Sequence, residues 1–340
     1  MAINLDKHIG FNHYIRKAFG KWLDQEDITE ICINRPNEVF YERNQEWFYE
    51  KIDFSYESCE HLVSAIASFK KDRVNTVKPI LSATLLNGER VQVVIPPACE
   101  VGTISITVRK PNIKRFTRSF YVSSGIYSEM KRFGQAIDQD DDLIHLYKEN
   151  LWDDFIALAV KKKKNIIVAG ATGTGKTTYM KMLVDLIPNE ERIITIEDTH
   201  ELDLVTQKNY VHLLYPSEAK EGDIVTASSL LKCCMRMKPD RILLAELRGG
   251  ETFDFLKVLK SGHSGSITSI HASSVAETFR QMCNYVTAHP QGLAIPYNII
   301  LSELKNNIDI VLSMVVRNKK RLIREIYFKN EDRDLSENFS

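Results

Sequence analysis

Residues 170–180 read GATGTGKTTYM. The run G-x-x-x-x-G-K-T follows a short apolar stretch, NIIVA, and opens a helical one, KTTYMKMLVDLI. Few folds tolerate that order. Glycines let successive backbone N–H groups converge on one point without Cβ clashes. The helix start behind them adds its partial positive charge. In this setting the pattern reads as a phosphate-binding loop, formed by Gly170, Ala171, Thr172, Gly173, Thr174, Gly175, Lys176, Thr177 and Thr178. Lys176 is expected to reach the β- and γ-phosphates, and the Thr177 hydroxyl to ligate Mg2+. ATP and Mg2+ are the cofactors this predicts. The alternative is a glycine-rich turn with no ligand.

The second half continues in alternation. RIITIE, RILLAE and SITSIHA read as buried strands; SSLLKCCMRM, ETFDFLKVLKSG and SVAETFRQMCNYV read as helices. Strands followed by helices describe a mostly parallel α/β sheet. Ser274 with Glu277 three residues on has the form of a capping box. The first half reads as α+β. EICINRPNEVFYER predicts strand, turn, strand, broken at Pro36-Asn37. Leu62, Ile66 and Phe69 share one helical face. Asn87-Gly88 predicts a hairpin whose turn residues both take positive φ. In TISITVRKP, Ile104, Ile106 and Val108 face one side while Thr103, Ser105, Thr107 and Arg109 face the other. Arg90 joins them on that polar face, which taken alone would be a solvated sheet surface. The predicted fold class is therefore α/β: residues 1–111 form an N-terminal α+β domain, 112–142 a linker with short helices, and 143–340 a C-terminal phosphate-loop ATPase domain.

Strand ends supply the acids. Glu246 closes RILLAE, where a carboxylate can align or deprotonate an attacking water; the plainer alternative is a surface carboxylate. The residue before it, Ala245, stands where many phosphate-loop enzymes carry a metal-binding aspartate. Glu197 and Asp198 close the neighbouring strand, and one of them is expected to reach Mg2+ or its waters; Asp198 could instead cap the following turn. His271 ends a strand, where it either donates to a γ-phosphate or acts as a structural donor.

Composition narrows the classes. The chain has 340 residues with 45 basic and 45 acidic side chains, hence no net charge and no global field for nucleic acid. Stable sequence-specific nucleic-acid binding is not expected. Lys161–Lys164 reads as a solvated helix end, a local basic patch being the alternative. The six cysteines contain no C-x-x-C pair, which argues against a zinc ribbon and suits a reducing cytosol. MAINLDKHIGFNHY lacks a signal-peptide core, and no apolar run approaches the roughly 18 residues of a membrane span. A cytoplasmic protein is expected, attached at most to a membrane face.

Taken in order, GATGTGKTT, TIEDTHEL, MKPDRILLAELRGGE and SGHSGSITSIHA resemble the secretion-ATPase superfamily of hexameric traffic ATPases, with the VirB-type type IV secretion ATPases most alike. ITEICINRPNEVFYE and NGERVQVVIPP with ISITVRKP resemble the same family. The resemblance implies a RecA-like core, ATP hydrolysis, a homohexamer, and partners among type IV secretion components at the inner membrane. It makes Lys176 and Thr177 the Walker A pair and Glu246 the Walker B glutamate. Glu197 and Asp198 fall in its acidic box and His271 in its histidine box. Arg90 and Arg109 match N-terminal arginines that reach the nucleotide phosphates. Arg248 matches a family position to which the residues themselves assign no role. A nucleotide-gated scaffold with negligible turnover and a helicase on a similar core are the competing functions.

Overall fold

Two β-sheets, the first over one apolar core and the second between two, organise a computed structural model that describes residues 6–112, 115–132, 140–220 and 222–333; one core of the second sheet also takes in Val94, Ala98 and Cys99. The first begins under helix α1 (Asp6–Leu23). Phe11, Ile15, Ala18, Phe19 and Trp22 fall at helical spacing and bury one face of it. Strands β1 (Ile28–Ile33), β2 (Glu38–Arg43) and β3 (Glu46–Lys51) follow, then helix α2 (Tyr56–Lys70). Ser55 caps α2 by accepting from Ser58 N, and Leu62 and Ile66 are buried beneath it. Strands β4 (Ile80–Thr84), β5 (Arg90–Val94) and β6 (Ser105–Arg109) complete an antiparallel sheet of order β3-β2-β1-β6-β5-β4.

Two local expectations change here. The β4–β5 loop spans Leu85 to Glu89, closed by Leu85 N donating to Glu89 O at 2.8 Å. Only Gly88 takes positive φ in it, because the wider loop spreads the reversal beyond Asn87-Gly88. The polar face of β5 and β6 is not solvated: Gln92, Ser105 and Thr107 are buried, and exposure returns only at Arg90 and Arg109.

Helix α3 (Arg118–Ser123) lies in the expected linker, of which residues 113–114 and 133–139 fall outside the described residues. Helices α4 (Asp141–Lys148) and α5 (Trp152–Lys161) then lead into β7 (Ile166–Gly170), α6 (Lys176–Asp185), β8 (Ile193–Glu197) and β9 (Tyr210–Leu214). Next come α7 (Ala227–Cys234), β10 (Arg241–Leu247), α8 (Glu251–Lys260), β11 (Ile267–Ile270), α9 (Val275–Ala288) and α10 (Tyr297–Asn307). The hairpin β12 (Ile310–Arg317) and β13 (Lys320–Phe328) and helix α11 (Lys329–Asp332) finish it. The sheet order is β13-β12-β7-β11-β10-β8-β9, parallel except for β13. Alternate residues of β7 serve opposite cores, Ile167 and Ala169 on one side, Ile166 and Val168 on the other. That two-sided burial is why these strands read as unbroken apolar runs. At the start of α9, Ser274 Oγ accepts from Glu277 N at 3.1 Å, but the Glu277 carboxylate takes Ser273 N instead of closing a box. Thr226 and Ser229 form the reciprocal box, at α7. Lys161 ends α5, and the three lysines after it are paired: Lys162 meets Asp142 at 2.5 Å, Lys163 meets Glu191 at 3.4 Å and Lys164 meets Asp140 at 2.5 Å.

The halves join through a buried arginine. Arg192, fully enclosed, donates to Met237 O at 2.9 Å, Asn34 Oδ1 at 2.8 Å and Asn209 Oδ1 at 2.5 Å, with Trp47 stacked over it. A buried charge is tolerated only when its donors are spent in this way. Trp47 Nε1 donates to Asp240 at 2.9 Å, and Lys238 pairs with Glu42 at 2.7 Å. All six cysteines are buried and free. Among the described residues, no helix is long and apolar enough to cross a membrane.

Candidate active site

The carboxyl ends of β7, β8, β10 and β11 open onto one cleft of about 290 Å3. Gly170 closes β7, and its bare Cα is a packing requirement. A Cβ there would stand 2.5 Å from Thr174 Oγ1 and 2.9 Å from Met314 O. Gly173 and Gly175 have φ of +79° and +93°, values that side chains rarely adopt, and they curl the loop onto the start of α6. Thr172, Gly173, Gly175, Lys176, Thr177 and Thr178 line the cleft. Gly170, Ala171 and Thr174 support it from behind, with Thr174 Oγ1 donating to Ala171 O at 2.8 Å.

Lys176 is almost wholly buried, and its ammonium donates to Gly170 O at 2.9 Å and stands 3.3 Å from His271 Nδ1. Burial pushes its pKa down, while the Glu246 carboxylate opposes the shift. On the other side of the imidazole, His271 Nε2 stands 2.7 Å from Glu246 Oε1. Lys176, His271 and Glu246 thus form one line across the cleft. Arg248 completes it: Nε donates to Glu246 Oε2 at 2.7 Å and Nη1 to Asp198 Oδ2. Burial disfavours that guanidinium charge, but the two carboxylates outweigh burial and raise its pKa.

The two acids of TIEDTHEL separate. Asp198 lines the cleft, and its Oδ1 also accepts from Thr199 N at 3.0 Å, so it caps the turn as well as facing the site. Glu197 is fully buried with both oxygens engaged. Oε1 accepts from Thr195 Oγ1 at 2.8 Å; Oε2 accepts from Glu201 N at 2.8 Å and Leu202 N at 2.9 Å. Burial alone would raise its pKa, but the hydrogen bonds and His212 hold it below the ordinary carboxylate value. Glu197 therefore shapes the 198–202 loop and does not line the cleft.

Arg90 and Arg109 are not brought to the cleft of their own chain. They face each other in register on β5 and β6, with Arg109 Nε 3.5 Å from Glu30 Oε1. Glu30 lies in the field of Glu42, Lys238 and Arg192. Those last two precede β10 and β8, at the sheet end remote from Glu246. Conversely, Thr199, Glu201 and Leu202 of TIEDTHEL line the cleft although sequence reasoning assigns them no role, and Arg321 lines it from outside every motif. Asn318 and Lys319, an exposed pair with positive φ, form the hairpin turn that returns Arg321 to the site.

A phosphate loop closing one parallel strand, with a histidine at the tip of the next strand and a glutamate at the tip of the one beyond, defines a phosphate-loop ATPase. Residues 129–338 match the family model T2SSE, described as "Type II/IV secretion system protein". The chain is 47% identical over 295 residues to the type IV secretion system protein VirB11 of Brucella abortus biovar 1, covering 86% of this chain and 82% of that one. It is 39% identical over 324 residues to the type IV secretion system protein PtlH of Bordetella pertussis, covering 92% and 94%. The crystal structure of the VirB11 ATPase from the Brucella suis type IV secretion system, in complex with sulphate, superposes with a TM-score of 0.90 at 41% identity, covering 98% and 97%. The chain belongs to the type II/IV secretion system protein family, among its VirB11-like type IV secretion ATPases, and is an enzyme that hydrolyses ATP.

Proposed function

We propose that this ATPase is a Mg2+-dependent motor of a type IV secretion system. It works as a ring of six at the cytoplasmic face of a bacterial inner membrane, exporting DNA, protein or both and assembling pili. The observation that carries the reading is the convergence of Lys176, Thr177, Asp198, Glu246 and His271 on one cleft. ATP is hydrolysed to ADP and phosphate by in-line attack of water on the γ-phosphate. Glu246 aligns that water or takes its proton, and Lys176 offsets charge on the phosphates. His271, within reach of both, donates toward the γ-phosphate. The Thr177 hydroxyl and Asp198 carboxylate open into the same cleft and would hold Mg2+, which supplies charge neutralisation between the phosphates. Glu197, with both oxygens spent, holds the loop that presents Asp198.

The ring reading draws on what the single chain leaves unfinished. Arg90 and Arg109 do not line the cleft of their own chain, which supports a cleft completed by the N-terminal half of a neighbouring copy. Phe116, Phe120, Tyr121, Val122, Ile126, Tyr127 and Met130 are all exposed along the segment joining the sheets, a surface suited to packing on a second copy. We take residues 1–111, 112–142 and 143–340 as N-terminal domain, linker and ATPase domain, consistent with the separate sheets. Guanidinium groups closing on the phosphates would hold the domains together until hydrolysis loosens them.

Steady-state phosphate release tests the catalytic core. Glu246→Gln should bind ATP as the parent does yet turn over about 100-fold or more slowly. Full turnover by the folded variant would remove Glu246 from the mechanism.

A further inference from the structure

We propose that Arg321, on the β12–β13 hairpin, is a nucleotide-binding residue that contacts the diphosphate of the nucleotide in its own chain's cleft. Its route there is set by the sheet. β12 runs parallel to β7, with Met314 opposite Gly170, so the hairpin lies against the strand that carries the phosphate loop. Asn318 and Lys319, with φ of +52° and +61°, reverse the chain, and Arg321 falls opposite Val316 on the returning strand.

The side chain then lies over the loop. A Cβ added at Gly175 would stand 2.8 Å from Arg321 Cδ and 3.0 Å from its Nε. The positive φ of Gly175 calls for glycine, and the arginine stem rests on its bare Cα. Arg321 lines the same cleft as Lys176, Thr177 and Thr178.

Its donors are unspent. Arg248 gives its guanidinium to Glu246 and Asp198, and Arg324 gives an N–H to Ser273 O at 2.7 Å. Among the described residues, no hydrogen bond or ion pair to protein engages the Arg321 guanidinium. A guanidinium with free N–H groups above the first turn of α6 matches the charge and fork geometry of phosphate oxygens. Gly175 caps that turn, whose amides would face the phosphates that ATP and ADP share. The contact therefore recognises diphosphate instead of sensing the γ-phosphate.

This inference rests on the ATPase reading, and calorimetry separates the two. ATPγS and ADP are titrated, with Mg2+, into the parent chain, Arg321→Gln, Arg321→Lys and Lys176→Ala. The expected result is that Arg321→Gln weakens both nucleotides about ten-fold and by the same factor, while the melting temperature is unchanged. Arg321→Lys should recover part of the loss, keeping the charge without the fork. Equal affinities for the parent and Arg321→Gln would overturn the inference and leave the ATPase reading intact. Loss for ATPγS but not ADP would overturn the diphosphate assignment. No heat from the parent with either nucleotide would overturn the ATPase reading itself.

Discussion

Glu197 and Asp198 are chemically near-identical neighbours with opposite duties, and the difference is one of direction. A strand sends successive side chains to opposite faces, so only one of the pair turns toward the cleft. The other is swallowed and must find partners. Glu197 finds Thr195 Oγ1 and two backbone amides. Glu197→Gln puts an NH2 group where an acceptor is required. It should cost roughly 1–3 kcal/mol in urea unfolding and loosen the 198–202 loop. Asp198→Asn keeps an oxygen for Thr199 N and loses only the charge facing Arg248, so it should cost less in urea unfolding than Glu197→Gln, about 1 kcal/mol or below, and instead raise the Mg2+ concentration needed for half-maximal turnover. If the two variants exchanged these phenotypes, the division of labour between the acids would be reversed.

Strand β1 carries a second buried acid under a different regime. Glu30 is 3% exposed, and burial lifts its pKa to about 8 from 4.5, with Arg109 pulling only partly the other way. A carboxyl whose folded pKa lies above its unfolded value binds protons more tightly when folded. Its contribution to stability is therefore largest below pH 4.5, declines as pH rises toward 8, and is flat beyond. Replacing it by a neutral isostere removes that decline. Glu30→Gln should gain on the parent by up to about 1.4 kcal/mol per pH unit across that window. Urea midpoints at pH 5 and pH 8.5 check this: a gain no larger at pH 8.5 than at pH 5 would mean that Glu30 is ionised at no cost.

The same scale shows what the sequence discloses. β7, β8, β10 and β11 are short apolar runs bounded by helices, and their two-sided burial makes that pattern inevitable. β13 is different: KRLIREIYF is exposed along most of its length, so it has neither alternation nor an apolar run to betray it. β9 interrupts its apolar run with His212. The site divides likewise. Lys176, Thr177, Glu246 and His271 are legible because each stands at the carboxyl end of a readable strand or at the helix start joined to one by the glycine loop. Arg321 is invisible because its place depends on a hairpin folding back beside β7.

For the molecule as a whole, the telling residues are Arg90 and Arg109, which sit beside Glu30 and outside the cleft of their own chain. Two arrangements would make them useful: a large swing of the N-terminal half, or delivery to the cleft of a second copy. The buried joint speaks against the first. Arg192, Trp47 and the Lys238–Glu42 pair would have to part, and separating a desolvated charge from its partners costs several kcal/mol. Mixing variants distinguishes the two. Lys176→Ala should be inactive through its own cleft, and Arg109→Ala inactive for want of the closing arginine. Combined in one assembly, a Lys176→Ala copy retains an Arg109 to lend, and an Arg109→Ala copy retains an intact cleft to receive it. Turnover should therefore reappear in the mixture although each variant alone is inert. A mixture as dead as its components would mean that Arg109 serves its own chain after all, and that the joint built on Arg192 opens during the cycle.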